Sequence, residues 1–355
     1  MRINQLTFTR FLAAISIVIF HYGKKSFLFN NFIVDFIFNN ADVCVSYFFI
    51  LSGFVMMIAY SNKSNISTKE YFTNRFARIY PLYLLAIFIM FLLQVRTNEI
   101  DLSGIFLNVL MIQSWVPGKI LSVNAPGWSL SVEFVFYAIF PFLFNKCFNR
   151  FKIKPISLYI ISFWILSQLV FQVFYYLYAE TSTTAKDFIM YNPILHINEF
   201  LIGNLAGFIF IKKLQFKKAN YDFLILTFAG LTILALKFSV GKIFHNGLLA
   251  PLFISLIILI SLNNGIITKL FQKKLFVFLG EISFGIYILQ YPVYSMFSAY
   301  SVNKYFHITD PTLVFFIRLV ILIIASSLAY IYVEKPIQNK IKTRNKTASV
   351  IENPA

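Results

Sequence analysis

What most constrains this chain is a succession of long apolar stretches separated by short polar ones. Runs of about 17–25 mainly apolar residues are the length a helix needs to cross a hydrocarbon core. They fall near 6–23, 43–60, 80–95, 127–145, 156–179, 194–211, 221–238, 247–262, 275–300 and 312–333. With 59% hydrophobic residues, only 13% charged and a mean hydropathy of +0.73, the chain does not read as a soluble domain. The expectation is an all-α integral membrane protein with about ten transmembrane helices. Its 19% aromatic content suits belts of Phe and Tyr at helix ends.

A net charge of +17 would suggest nucleic acid in a soluble protein, but here the cations sort by loop. Alternate segments are rich in them: Arg2; Lys63, Lys69, Arg75 and Arg78; Lys146, Arg150, Lys152 and Lys154; Lys212, Lys213, Lys217 and Lys218; Lys269, Lys273 and Lys274; then Lys335, Lys340, Lys342, Arg344 and Lys346. The segments between hold only Lys24, Lys25, Arg96, Lys119, Lys186, Lys237, Lys242 and Lys304, with Arg318 inside the last span. Cytoplasmic loops carry such an excess, so both termini are expected in the cytoplasm, and the bilayer rather than nucleic acid is the expected partner. The amino-terminal span does not read as a cleavable signal, because Arg10 and His21 interrupt or bound it. Residues 1–337 read as one transmembrane unit and 338–355 as a polar, disordered cytoplasmic tail. No internal repeat is visible, which weighs against transporters built from related halves. The apolar run GIFLNVLMIQSW, 104–115, is too short to span and reads as an interfacial or re-entrant helix on the outer face. Cys44 and Cys147 fall near opposite faces, so no disulfide is expected, and the four histidines lack the spacing of a metal site.

Polar residues inside apolar spans need a reason. In Leu6–Tyr22, Arg10 and His21 are eleven residues apart, almost three turns, so they share a face about 16 Å apart along the axis. A mid-depth arginine costs about 2.5–3.5 kcal/mol on insertion scales, a cost that a bound anion would offset. Interfacial anchoring of Arg10, with His21 just outside lipid, is the plainer alternative. In FTNRFARIYPLY, 72–83, Arg75 and Arg78 are three apart and share a face, with Pro81 read into a helix's first turn. Two adjacent guanidiniums make a fork for phosphate oxygens, although cytoplasmic anchoring uses the same residues. In PGWSLSVEFVFY, 126–137, Ser129 reads as a cap and Glu133 lies about two turns in, at a depth comparable with His21. A carboxylate there either orients the imidazole or is a structural group of the bundle. His196 and Glu199 also share a face, and Ser52-Gly53 permits close helix approach. Asp42, Glu281 and Glu334 read as cap or packing residues, and His245 and His307 as loop residues without a role.

Taken in order, the Arg10–His21 span, SYFFILSGF, FTNRFARIYPLY, WSLSVEFVFY, NEFLIGNLAG, ISFGIYILQYPV and VEKPI resemble the membrane-bound acyltransferase 3 family over roughly 6–337. The resemblance implies a ten-helix acyltransferase of a bacterial inner (plasma) membrane. It implies no permanently bound cofactor. The donor substrate would be acyl-coenzyme A, usually acetyl-coenzyme A, and the acceptor a hydroxyl of a cell-surface glycan or lipid-linked saccharide. Carried over by position, the family's functional residues are Arg10 and His21, Arg75 and Arg78, and Glu133. On that basis Arg75 and Arg78 are expected to hold the donor's phosphates and Arg10 its pantetheine arm. His21 is then general base or acyl acceptor, oriented by Glu133. Two features depart from the family. Gln290 stands where a histidine is frequent, which argues against acid–base chemistry there. No esterase-like domain follows the last span, so a separate esterase-like partner is expected if acceptor transfer needs one. A transporter or glycolipid flippase, with Arg10, Glu133 and Glu199 lining a path, is the alternative class.

Overall fold

In a computed structural model, residues 3–238 and 243–341 are described. The expected disordered tail therefore falls largely outside the described residues, as do Arg2, Lys242, Lys342, Arg344 and Lys346. The described chain is all-helical, with one isolated backbone bridge between Ala219 and Asn263. Each apolar stretch of the sequence is helical: α1 (Gln5–Tyr22), α2 (Val43–Tyr60), α3 (Thr68–Thr97), α4 (Trp128–Phe142), α5 (Ile153–Tyr178), α6 (Pro193–Ile209), α7 (Asp222–Lys237), α8 (Ala250–Leu262), α9 (Lys274–Glu281) with α10 (Ser283–Met296), and α11 (Pro311–Ala329). Among the described residues seven helical segments are long and apolar enough to cross a membrane, or eight if the α9–α10 pair, bent by 50°, counts as one span.

Local chemistry sets the ends. Asp310 caps α11 by accepting from the Leu313 amide at 2.7 Å, and Asn192 caps α6 through the Ile194 amide at 3.0 Å, each followed by a proline in the first turn. Ser129 is not the cap expected for α4. It lies inside the helix and its hydroxyl donates to the Pro126 carbonyl at 3.1 Å. Pro81 is likewise not in a first turn. The helix starts at Thr68, so Arg75 and Arg78 sit on a 30-residue rod about 45 Å long, more than a bilayer core requires.

Packing is closest between α2 and α6. A side chain on Gly53 would strike the Phe200 carbonyl, and one on Gly203 the Ile50 carbonyl, so backbone meets backbone as Ser52-Gly53 predicted. Around this pair lies one apolar lobe, with Phe49, Phe54, Phe136, Phe140 and Phe200 at its centre. A second lobe joins α1, α3, α10 and α11. The cavity described below lies where the two meet.

The segment before α4 is tied down by buried polar groups. A short helix, Leu102–Val109, is capped by Asp101 and followed by a tight turn at Met111 with φ 58°. Gln113 donates to the Gly127 carbonyl at 2.8 Å and to the Tyr83 hydroxyl at 3.2 Å, while Ser114 donates to the Trp128 carbonyl at 3.0 Å. These bonds fix where α4 begins and hence where Glu133 projects.

Candidate functional site

A cavity of about 100 Å³, partly open to solvent, lies between α1, α2, α3, α4 and α10. Arg10, Arg75, Arg78 and Glu133 all line it, together with Ser52, Tyr137 and Tyr287. Helix geometry brings them there: Arg75 and Arg78 share a face of α3, Arg10 projects from the second turn of α1, and Glu133 from the second turn of α4.

Aromatic rings surround Arg75. Its guanidinium carbon lies 6.0, 5.7 and 6.0 Å from the ring centres of Tyr60, Tyr71 and Tyr137. Its buried Nε has no acceptor among the described residues. Glu133 accepts from the Tyr137 hydroxyl at 2.6 Å and acts electrostatically on Arg10, Arg75 and Arg78. A second carboxylate, Glu334, is 3% exposed and acts on Arg78 and Arg10. Read from sequence as a helix-end residue, it acts on two of the cavity's arginines without lining the cavity, and the chain after Ala329 reaches it as a continued helical wide turn, Tyr330–Glu334. Three guanidiniums against one lining carboxylate leave the cavity suited to an anion.

His21 does not line this cavity. Its Nδ1 lies 2.8 Å from Gln290 Oε1. Gln290 Nε2 faces the Tyr287 carbonyl at 2.7 Å, and a carbonyl can only accept, so the amide is fixed with its oxygen toward the imidazole. His21 therefore donates from Nδ1 and keeps its lone pair on Nε2. The expected pairing of Glu133 with His21 is thus replaced by His21 with Gln290 and Glu133 with Tyr137. Gln290 was set aside in sequence because an amide does no acid–base chemistry, yet an amide whose far end is anchored can still select the tautomer. Tyr287 links the regions, since its side chain lines the cavity and its carbonyl holds Gln290.

A separate polar cluster lies beyond Trp128. His196 and Glu199, both fully buried, meet at 2.6 Å, as their spacing suggests. His245 is also buried at 3% exposed, its ring 5.5 Å from that of His196 and 5.4 Å from that of Trp128, with Nδ1 3.5 Å from the Asp42 carboxylate. It is a core residue and not the roleless loop histidine expected from sequence. Its burial was not readable because the contacts come from α2, α4 and α6, remote in the chain. His307 is exposed at a helix end.

The sequence matches the family model of an acyltransferase domain over residues 3–331. It is 33% identical to the acyltransferase MdmB of Streptomyces mycarofaciens over 151 residues, which are 39% of this chain and 38% of that protein. It is 24% identical to the O-acetyltransferase OatA of Staphylococcus aureus over 330 residues, 83% of this chain and 52% of that protein. The chain spans about half the length, or less, of these two curated relatives. No solved structure matches it.

Proposed function

This chain belongs to the acyltransferase domain family whose model covers residues 3–331, and from that premise we propose that it is an O-acetyltransferase of the bacterial plasma membrane. Acyl-coenzyme A, most simply acetyl-coenzyme A, is the donor, and a hydroxyl of a cell-surface glycan or lipid-linked saccharide the acceptor. The observation that carries the reading is the cavity lined by Arg10, Arg75 and Arg78. Paired guanidiniums suit the phosphates of coenzyme A. Glu133 acts electrostatically on all three guanidiniums and Glu334 on those of Arg78 and Arg10, so Glu133 is assigned to organising the donor site.

His21 acts as the general base. The acceptor hydroxyl gives its proton to Nε2 while its oxygen attacks the thioester carbonyl. The C–S bond then breaks, and coenzyme A leaves as the thiol, taking the proton from Nε2. An extended pantetheine arm is of the same order as the Arg10–His21 separation, about 16 Å on one helix. A donor held by its phosphates at the arginines therefore presents its thioester toward His21.

We assign ten spans, with both termini cytoplasmic, and residues 1–337 as the catalytic unit. Polar contacts at the ends of α7 and α8 support the count. At one end of α7, Asp222 bonds Asn263, and Gln5 at the start of α1 donates to the nearby Ser261 carbonyl at 3.2 Å. Beyond its other end the chain returns through His245, which lies beside Asp42 at the start of α2. Thus α7 and α8 run the depth that α1 runs.

The test is transfer from radiolabelled acetyl-coenzyme A into the glycan fraction, using membranes holding wild type, His21→Ala, Arg75→Ala or Arg78→Ala. Wild type should label glycan and His21→Ala should not. Each arginine variant should weaken donor affinity by about 1.5–3 kcal/mol, the worth of a hydrogen bond to a charged group. Normal turnover by His21→Ala sinks its assignment, and unchanged donor affinity in both arginine variants sinks theirs.

A further inference from the structure

Four residues from Gln290 along α10, toward its Met296 end, stands Tyr294, and against it lies a cation that the acyl-transfer chemistry leaves unused. Arg318 projects from α11, seven residues after Pro311 and so about 10 Å inside that helix. Its guanidinium carbon is 4.0 Å from the ring centre of Tyr294 and 5.6 Å from that of Tyr22, and the two rings stack at 3.9 Å. Nη2 donates to the Tyr294 carbonyl at 2.8 Å. Among the described residues the buried Nε has no acceptor, and neither does the hydroxyl of Tyr294, a residue 2% exposed. Among the described residues no carboxylate pairs with Arg318.

We propose that Arg318, with Tyr22 and Tyr294, binds an oxyanion, carboxylate or phosphate, carried by the acceptor saccharide. Tyrosine faces cover the flat side of the guanidinium, so what remains is its edge, which donates in plane and matches two oxygens of one anion. Position assigns the anion to the acceptor. His21 bonds Gln290 and Arg318 bonds Tyr294 one turn further along α10, about 6 Å on, while the donor arginines line the cavity, which neither His21 nor Arg318 borders. Tyr22 follows His21 directly, so a sugar whose hydroxyl meets Nε2 would extend over this tyrosine pair. A lipid phosphate would stay at headgroup depth, whereas Arg318 sits two turns inside α11. The assignment of the anion to the acceptor rests on the acyl-transfer reading; the anion site itself does not.

The full chain in phosphatidylcholine nanodiscs is titrated with methyl glucuronide, glucose 1-phosphate and neutral methyl glucoside, and separately with acetyl-coenzyme A. Wild type should bind the two anionic sugars about tenfold or more tightly than the neutral one, the scale of one charge-assisted hydrogen bond. Arg318→Gln should remove that preference, Arg318→Lys should keep part of it, and acetyl-coenzyme A should bind all three alike. Tyr294→Phe, which keeps the ring but loses the hydroxyl, should reduce the preference and serves if Arg318→Gln does not fold. A wild type without preference, or an Arg318→Gln that keeps it, overturns the proposal. So does a preference abolished by adding phosphatidylglycerol, which would make the occupant a lipid phosphate. Failure of acetyl-coenzyme A to bind any form counts against the acyl-transfer reading and leaves the anion result readable by itself.

Discussion

At Gln290 a neutral amide settles which nitrogen of a histidine is basic. Its Nε2 is committed to the Tyr287 carbonyl, so Oε1 must accept from His21 Nδ1, and the imidazole presents Nε2 as its base. Replacing Gln290 with Ala frees the ring to exchange tautomers and to turn. The loss of one hydrogen bond, about 1 kcal/mol, predicts turnover reduced about fivefold with donor KM unchanged, measured as initial rates in membranes. Equal loss from donor KM and turnover would instead place Gln290 in donor binding. Arg10, Arg75, Arg78 and Glu133 were legible as a set because charges in apolar spans are few and each needs an explanation. Gln290, Tyr137 and Glu334 were not, since an amide, a tyrosine and a helix-end acid are ordinary until the fold places them against a charge.

Between elements, the contact of α2 with α6 is set by missing side chains. Any side chain at Gly203 meets the Ile50 carbonyl, and backbone cannot step aside as a side chain can. Gly203→Leu should therefore cost about 3 kcal/mol, the upper part of the overpacking range, and should widen the cavity wall that Phe49 and Ser52 supply. Gly230→Leu, at a position open on α7, should be near neutral, and thermal unfolding in detergent compares the two. The segment before α4 has its own anchor point in Asp101, whose carboxylate accepts from Lys119 at 2.6 Å and from the Gly104 amide at 2.9 Å. The ammonium of Lys119 and that amide hold its pKa below the ordinary carboxylate value. A lowered folded pKa stabilises above the unfolded pKa and is lost as pH falls through the folded one. Asp101→Ala should then loosen residues 101–124 by about 1 kcal/mol at neutral pH, read as faster amide exchange. That difference should fade as pH drops below the unperturbed carboxylate range, about 3.9. Apolar runs announced the helices, but α3 began twelve residues before its apolar run because Thr68–Ile79 is held by packing and not by hydropathy.

Across the whole molecule, the question that length alone leaves open is whether α7 and α8 cross. At 13 residues α8 is only about 20 Å long, short of a core of about 30 Å. Yet its two ends reach different helix starts: Asn263 beside Asp222 at the start of α7, and on the other side His245 beside Asp42 at the start of α2, with the Gly247 carbonyl accepting from Trp164 at 3.0 Å. Backbone groups beyond a short helix need such partners if they lie at membrane depth, and here they have them. Ten spans with the charge-rich segments inside would put Lys217 and Lys269 inside and Lys237 outside. With Cys44 and Cys147 replaced by Ser, single cysteines at Lys217, Lys237 and Lys269 can be offered a membrane-impermeant maleimide on intact cells. Ten spans predict labelling at position 237 alone, with 217 and 269 labelled only after the membrane is opened. Were position 237 protected and labelled only from inside, α7 and α8 would form a hairpin entering from the cytoplasm. The molecule would then have eight spans, and the His245 cluster would have to be reached without crossing the bilayer, against its packing on the starts of α2 and α4.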